Sequence, residues 1–263
     1  MNSEKVALYI VNWLKEYATK ANVKGFVVGV SGGIDSAVTS TLCAKTGLPT
    51  ICVEMPIHQA VSQVTRAQDH IAQLKENYSN VSDVRVDLTE SFETFQTAFA
   101  TSESNALKDL TLANTRARLR MTTLYYIAGL NSSLVAGTGN KIEDFGVGFY
   151  TKYGDGGVDV SPIADLVKSE VFALGAVLNV PESIQNAAPT DGLFGDSRTD
   201  EDQIGASYDE LEIAMQQTKD GVTNTDLSGR EKEVFDIYTR LHRNNQHKMN
   251  PIPVCEISED LKN

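Results

Sequence analysis

Gly29-Val30-Ser31-Gly32-Gly33-Ile34-Asp35-Ser36 follows Phe26-Val27-Val28 and precedes Ala37-Val38-Thr39-Ser40-Thr41-Leu42-Cys43-Ala44-Lys45. The first flank is β-branched and aromatic and predicts a buried strand; the second predicts a helix. A strand, a turn of small residues and a helix aim several backbone N–H groups at one anion. Ser31 and Ser36 add hydroxyl donors, while Gly32 and Gly33 permit close approach and positive φ. Asp35 would repel a bare phosphate, but it fits if a divalent cation lies between its carboxylate and the phosphates. A Walker A loop requires a Gly-Lys-Ser/Thr ending, and no lysine lies between Gly29 and Ala44. The run also fits the nucleophile elbow G-x-S-x-G, with Ser31 as the nucleophile of a hydrolase. That fold places several strands and an oxyanion loop before its elbow, whereas only one helical segment precedes residue 25.

Outward from this loop, apolar residues at helical spacing (Val6, Ile10, Trp13, Leu14, Tyr17) predict a helix over residues 4–19. Ile51-Cys52-Val53-Glu54-Met55 predicts the second strand, 60–78 a helix, and Val84-Arg85-Val86-Asp87-Leu88 the third strand. A long proline-free helical pattern spans 105–130, and Leu134-Val135-Ala136-Gly137 reads as a fourth strand. Strands alternating with helices imply an α/β fold, a doubly wound parallel sheet with helices on both faces. Ligands bind such sheets beyond the carboxyl ends of the strands, so the Ser31 loop and Gly137-Thr138-Gly139-Asn140 share a rim. Further along, 153–157 is a loop, 165–178 a helix, 185–205 a mobile loop or lid, and 208–217 and 230–244 helices. The tail after Pro251 is extended, and with no repeat or linker the whole of 1–263 is expected to form one domain.

The 263 residues carry a net charge of -12, which disfavours nucleic-acid partners except at a local basic patch. The one candidate, Arg116-Ala117-Arg118-Leu119-Arg120, suits small phosphates or carboxylates. No apolar run reaches the roughly 20 residues of a membrane helix, and no secretory pattern opens the chain. Cys43, Cys52 and Cys255 form no C-x-x-C motif, and their odd number fits a reducing, cytoplasmic compartment. Cys43 and Cys52 are expected in the core, and His70 on a helix surface. No pair of the four histidines has zinc-ligand spacing with a third ligand nearby.

Glu143 follows the fourth strand and offers a second carboxylate beside Asp35 for a magnesium ion. Thr151-Lys152-Tyr153-Gly154-Asp155-Gly156-Gly157 joins a cation, a ring and a flexible backbone. Singly, such lysines are more often surface charges; beside an ATP site, Lys152 and Lys168 could neutralise a triphosphate.

The motif S-G-G-x-D-S, matched at every specified position from Ser31 to Ser36, resembles the loop of the ATP pyrophosphatase families. Asn114-Thr115-Arg116-Ala117-Arg118-Leu119-Arg120-Met121, Gly137-Thr138-Gly139-Asn140, Gly148-Phe149-Tyr150-Thr151-Lys152-Tyr153-Gly154-Asp155-Gly156-Gly157, Ala188-Pro189-Thr190, Ser207-Tyr208-Asp209-Glu210 and His247-Lys248 accompany it. With them the chain resembles the ammonia-dependent NAD synthetases from its first strand to about residue 248. The resemblance implies an adenine nucleotide α-hydrolase-like fold. It implies ATP-dependent amidation of deamido-NAD by ammonia, through an acyl-adenylate, with release of pyrophosphate and AMP. Position by position it implies ATP contacts at Gly29, Val30, Ser31, Gly32, Gly33, Ile34, Asp35, Ser36, Thr138, Lys168 and Thr190. Magnesium would lie at Asp35 and Glu143, and deamido-NAD at Arg118, Lys152, Asp159, His247 and Lys248. Asp35, Lys168 and Thr190 would be the catalytic set. The resemblance also implies a homodimer, with the 105–130 helix as candidate contact. The chain departs from the family pattern at Ile57-His58, where an aromatic usually follows Met-Pro, and at Gly139-Asn140, where Asp and His are common. No amidase domain of the glutamine-using members is present in these 263 residues, so free ammonia is the expected nitrogen donor.

Overall fold

The computed structural model describes residues 1–99, 106–190 and 199–262. Four strands, β1 (Phe26–Gly29), β2 (Thr50–Glu54), β3 (Val81–Arg85) and β4 (Leu134–Val135), form one parallel sheet in the order β3-β2-β1-β4. The described helices before β4 are α1 (Ser3–Lys20), α2 (Ile34–Lys45), α3 (Val61–Asn77), α4 (Thr89–Thr97) and α5 (Ala106–Asn131). After a π-helical turn at Ile142–Val147 come α6 (Lys168–Val177), α7 (Glu182–Gln185), α8 (Asp200–Ile204), α9 (Tyr208–Lys219), α10 (Gly229–Asn244) and α11 (Gln246–Met249). The chain order reverses between β1 and β4, which puts the crevice of the sheet at the carboxyl ends of these two strands.

The alternation of β1 explains the layers. Phe26 and Val28 face one side and pack with Leu14 of α1, Val38 and Leu42 of α2, and Val171 and Leu174 of α6. Val27 faces the other side, with Val53, Val135, Phe92 of α4, and Leu124 and Ile127 of α5. A third cluster joins Ile142 and Val147 of the π-helical turn to Tyr208, Leu211, Phe235 and Tyr238, fastening α9 and α10 beside the crevice.

Three expectations need correction. The third strand lies at Val81–Arg85, not 84–88. It is an edge strand with mostly exposed residues, so the apolar signal came from its exit, where Val86 and Leu88 pack into the core. The exit continues into α4, which was not anticipated: the Asp87 carboxylate accepts the Thr89 N–H at 2.9 Å and Phe92 is its buried anchor. His70 is buried, not on a surface, because α3 turns it against α2, where Nε2 lies 2.9 Å from the Ser40 hydroxyl. Of the supposed lid at 185–205, residues 191–198 lie outside the described residues; 182–185 and 200–204 are helical. The latter is capped by Thr199, whose hydroxyl accepts the Asp202 N–H.

Candidate active site

The loop after β1 leads straight into α2, which begins at Ile34 rather than at Ala37, so Asp35 and Ser36 sit in the helix's first turn. A carboxylate there is favoured by the helix dipole and stands beside free backbone donors. Gly32 has φ +83°, and a Cβ on it would lie 2.6 Å from the Gln63 carbonyl oxygen, so only glycine fits. Arg66 of α3 donates from Nε to the Gly32 carbonyl at 3.2 Å. Ser36 Oγ donates to the Gly33 carbonyl and accepts the Ser31 N–H, at 3.0 and 3.2 Å, which curls the loop around its hydroxyls. Ser31 Oγ lies 3.1 Å from Ser36 Oγ and accepts the Gly33 N–H, and among the described residues no histidine bonds it. The general base that a serine nucleophile needs is therefore not supplied at Ser31.

Asp35 faces Lys168, the first residue of α6. Lys168 Nζ donates to Asp35 Oδ2 at 2.5 Å and to Glu143 Oε1 at 3.1 Å, and its side chain is only 4% exposed. Burial alone would lower the Lys168 ammonium, but the two carboxylates hold it above the ordinary lysine value. Burial, reinforced by Glu143, raises the Asp35 carboxyl even against the opposing pull of Lys168. Neighbouring Asp144 is pushed up to about 8 by burial and then by the charges of Glu143, Asp155 and Asp35. The centre thus gathers three carboxyl groups around one charged lysine, two of them pushed toward the neutral form.

Asn140 ties the two carboxylates together. Its Nδ2 donates to Asp35 Oδ1 at 3.2 Å, and its Oδ1 accepts the N–H groups of Ile142 and Glu143 at 3.1 Å each. It thereby caps the π-helical turn that presents Glu143; such irregular turns recur at functional sites. Tyr208 donates to Glu143 Oε1 at 2.6 Å. Sequence reasoning quoted Asn140 and Tyr208 within motifs but gave neither a role, because their partners lie far away in the chain.

A cavity of about 270 Å³ opens in front of this centre. Its walls include all of residues 29–36, together with Thr138, Glu143, Lys168 and Thr190, so the expected ATP and magnesium positions share one space. Met55, Gln59 and Arg120 line the other end, where Arg120 donates to the Met55 carbonyl at 3.0 Å and to Gln59 Oε1 at 2.8 Å.

The residues expected to hold the dinucleotide form a second group. Arg118 Nε donates to the Lys152 carbonyl at 3.3 Å, and Lys152 Nζ to the His247 carbonyl at 2.5 Å. Lys248 Nζ donates to the carbonyls of Gly148 and Tyr150 at 2.8 Å each. Burial lowers the Lys248 ammonium. Asp159 stands apart from these bonds: one oxygen accepts the Val135 N–H at 2.8 Å and the other the Tyr125 hydroxyl at 3.0 Å.

Residues 6–252 match the family model described as NAD synthase. The NH(3)-dependent NAD(+) synthetase of Mesoplasma florum is 40% identical over 244 residues, 92% of either chain. Among solved structures, an NMN synthetase from Francisella tularensis superposes with a TM-score of 0.83 at 31% identity, over 98% of this chain and 100% of that one. The NH3-dependent NAD synthetase from Campylobacter jejuni superposes with a TM-score of 0.77 at 25% identity, over 97% and 100%. With a glycine-serine loop, two carboxylates and a lysine assembled at the switch point of a matching fold, the chain belongs to the NAD synthase family of enzymes.

Proposed function

We propose that this enzyme makes NAD by ATP-dependent amidation of deamido-NAD with free ammonia. The observation that carries the reading is Lys168 held between Asp35 and Glu143 beside the mouth of the Ser31–Ser36 loop. The nicotinate carboxylate attacks the α-phosphorus of ATP; an oxygen–phosphorus bond forms and pyrophosphate leaves. Ammonia then attacks the activated carbonyl, loses a proton, and AMP departs with the former carboxylate oxygen. A carboxylate is a poor electrophile, and adenylation supplies the leaving group. The protein needs no nucleophile of its own; its work is positioning and charge stabilisation.

In this reading the N–H groups and hydroxyls of Gly29, Val30, Ser31, Gly32, Gly33, Ile34 and Ser36 hold the phosphates, with Thr138 and Thr190 as further contacts. Lys168 neutralises charge on the transferring phosphoryl group and the departing pyrophosphate. Asp35 and Glu143 fit a hard divalent cation: both are oxygen donors, both converge on one ammonium, and the cavity leaves room for phosphate and water. Magnesium there would supply further screening of phosphate charge. Arg118, Lys152, Asp159, His247 and Lys248 would bind deamido-NAD, the first two with His247 forming one bonded cluster.

Residues 1–263 are taken as one domain, acting in the cytoplasm as a homodimer. Free Cys43, Cys52 and Cys255 support the compartment. Exposed Tyr126 and Leu130, four residues apart on one face of α5, support the dimer. Among the described residues no helix is long and apolar enough to cross a membrane.

The likeness to an NMN synthetase favours a second reading, in which the acceptor is nicotinate mononucleotide and the product NMN. The test supplies ATP, magnesium and ammonium with either acceptor, and replaces ammonium by glutamine in parallel. NAD from deamido-NAD with ammonium alone supports the main reading; preferential NMN formation replaces it with the second.

A further inference from the structure

We propose that Tyr208 is a positioning residue that aims Glu143 at the cation, and that α9 sets the geometry of the charged centre from behind; this rests on the amidation reading above. Tyr208 Oη donates to Glu143 Oε1 at 2.6 Å, and the same oxygen accepts Lys168 Nζ at 3.1 Å. Oε1 is thus committed to two donors, while among the described residues no hydrogen bond is made to Oε2. That oxygen is the one left to face a cation. The phenol has a single proton, so its 3.3 Å approach to Asp200 Oδ2 is the weaker, shared contact. The Tyr208 ring also covers the lysine, with Lys168 Nζ 4.6 Å from its centroid. One side chain therefore orients the carboxylate and shields the ammonium that bridges it to Asp35.

The position of Tyr208 is itself rigidly built. Its own N–H reaches Glu201 Oε1 at 3.0 Å, and the preceding Ser207 N–H reaches Glu210 Oε2 at 2.9 Å. Arg230 of α10 grips Glu210 through two bonds of 2.8 and 2.9 Å. The Tyr208 ring is buried in one cluster with Leu211, Ile142 and Phe235. Four residues on, and so on the same face of α9, Glu212 accepts the Ser169 N–H at 2.9 Å and the Ser169 hydroxyl at 2.7 Å. These bonds cap α6 one residue beyond Lys168. α9 thus holds Glu143 with one side chain and the helix start that carries Lys168 with another. Outer partners of metal-binding carboxylates set affinity by fixing orientation, and their loss typically costs about 10–100-fold.

The test titrates Mn²⁺ by electron paramagnetic resonance into the full-length protein with α,β-methylene ATP, so it reads binding without turnover. Tyr208→Phe keeps the ring and removes the donor. It is expected to weaken Mn²⁺ binding about tenfold while deamido-NAD affinity changes less than about twofold. Unchanged Mn²⁺ affinity in Tyr208→Phe overturns the assignment, whatever happens to activity. Glu212→Ala provides an independent arm at a half-buried position: kcat is expected to fall about tenfold, with Mn²⁺ affinity and KM for deamido-NAD within about twofold. An unaltered kcat in that variant overturns the role of α9 in placing Lys168. If the wild-type chain binds Mn²⁺ tightly yet makes no NAD, the amidation reading fails while the Tyr208 result still stands.

Discussion

Asp35 carries three demands at once: it sits in the first turn of α2, it pairs with Lys168, and Asn140 fixes its other oxygen. Asp35→Asn keeps the shape but removes the charge and sets an amide N–H group against one of the two donors, Lys168 Nζ or Asn140 Nδ2. It should lower adenylation by more than about 100-fold while leaving the unfolding transition in place. Turnover close to wild type, measured as pyrophosphate release, would remove the cation from Asp35. His70 gives a different residue-scale prediction. Burial drives its imidazole down to about 4 from an ordinary 6.5, so it stays neutral in the fold. Between those values the unfolded chain binds the extra proton, so stability is full above about pH 6.5 and falls as pH drops toward 4. The limiting loss is about 3 kcal/mol. His70→Gln should flatten this slope in urea titrations at pH 7 and pH 5; an unchanged slope would assign it to other groups. Asp35 and Glu143 were legible in the sequence through motif and rim position, and Lys168 only through the resemblance, since a lysine inside a helix carries no local mark of its partners. The burial of His70 was not, because its environment depends on which face of α3 meets α2.

The loop and helix α2 form the element on which the site depends. Gly32→Ala forces a side chain into positive φ and against the Gln63 carbonyl. The expected cost is about 1–3 kcal/mol of stability together with loss of ATP binding, read by thermal unfolding with and without ATP. A variant that kept the wild-type shift on adding ATP would show that the loop backbone is not the phosphate cradle. The strand-turn-helix order here followed from residues 26–45 alone, since propensity, glycine placement and burial all agree. β3 was misplaced by three residues because an exposed edge strand has no buried face to mark its register. The contribution of α9 was equally hidden: Tyr208 and Glu143 are 65 residues apart, and nothing local to either announces the bond.

At the scale of the molecule, the exposed pair Tyr126 and Leu130 on one face of α5 asks for a cover. Tyr126→Glu combined with Leu130→Glu should convert a dimer into a monomer by light scattering at micromolar concentration. A wild-type chain that is already monomeric would contradict the homodimer. The sheet order was legible as a class, parallel and doubly wound, from alternating strands and helices; the order β3-β2-β1-β4 emerged only from the fold. It is this order that brings the loop after β1 and the turn after β4 to one crevice. The central claim is that a carboxylate is activated there by adenylation before ammonia arrives. Deamido-NAD labelled with ¹⁸O in its nicotinate carboxylate tests that claim most directly, with ATP, magnesium and ammonium and mass analysis of the nucleotide product. The account predicts one labelled oxygen transferred into AMP for each NAD formed. Unlabelled AMP, or ADP as the nucleotide product, would contradict it.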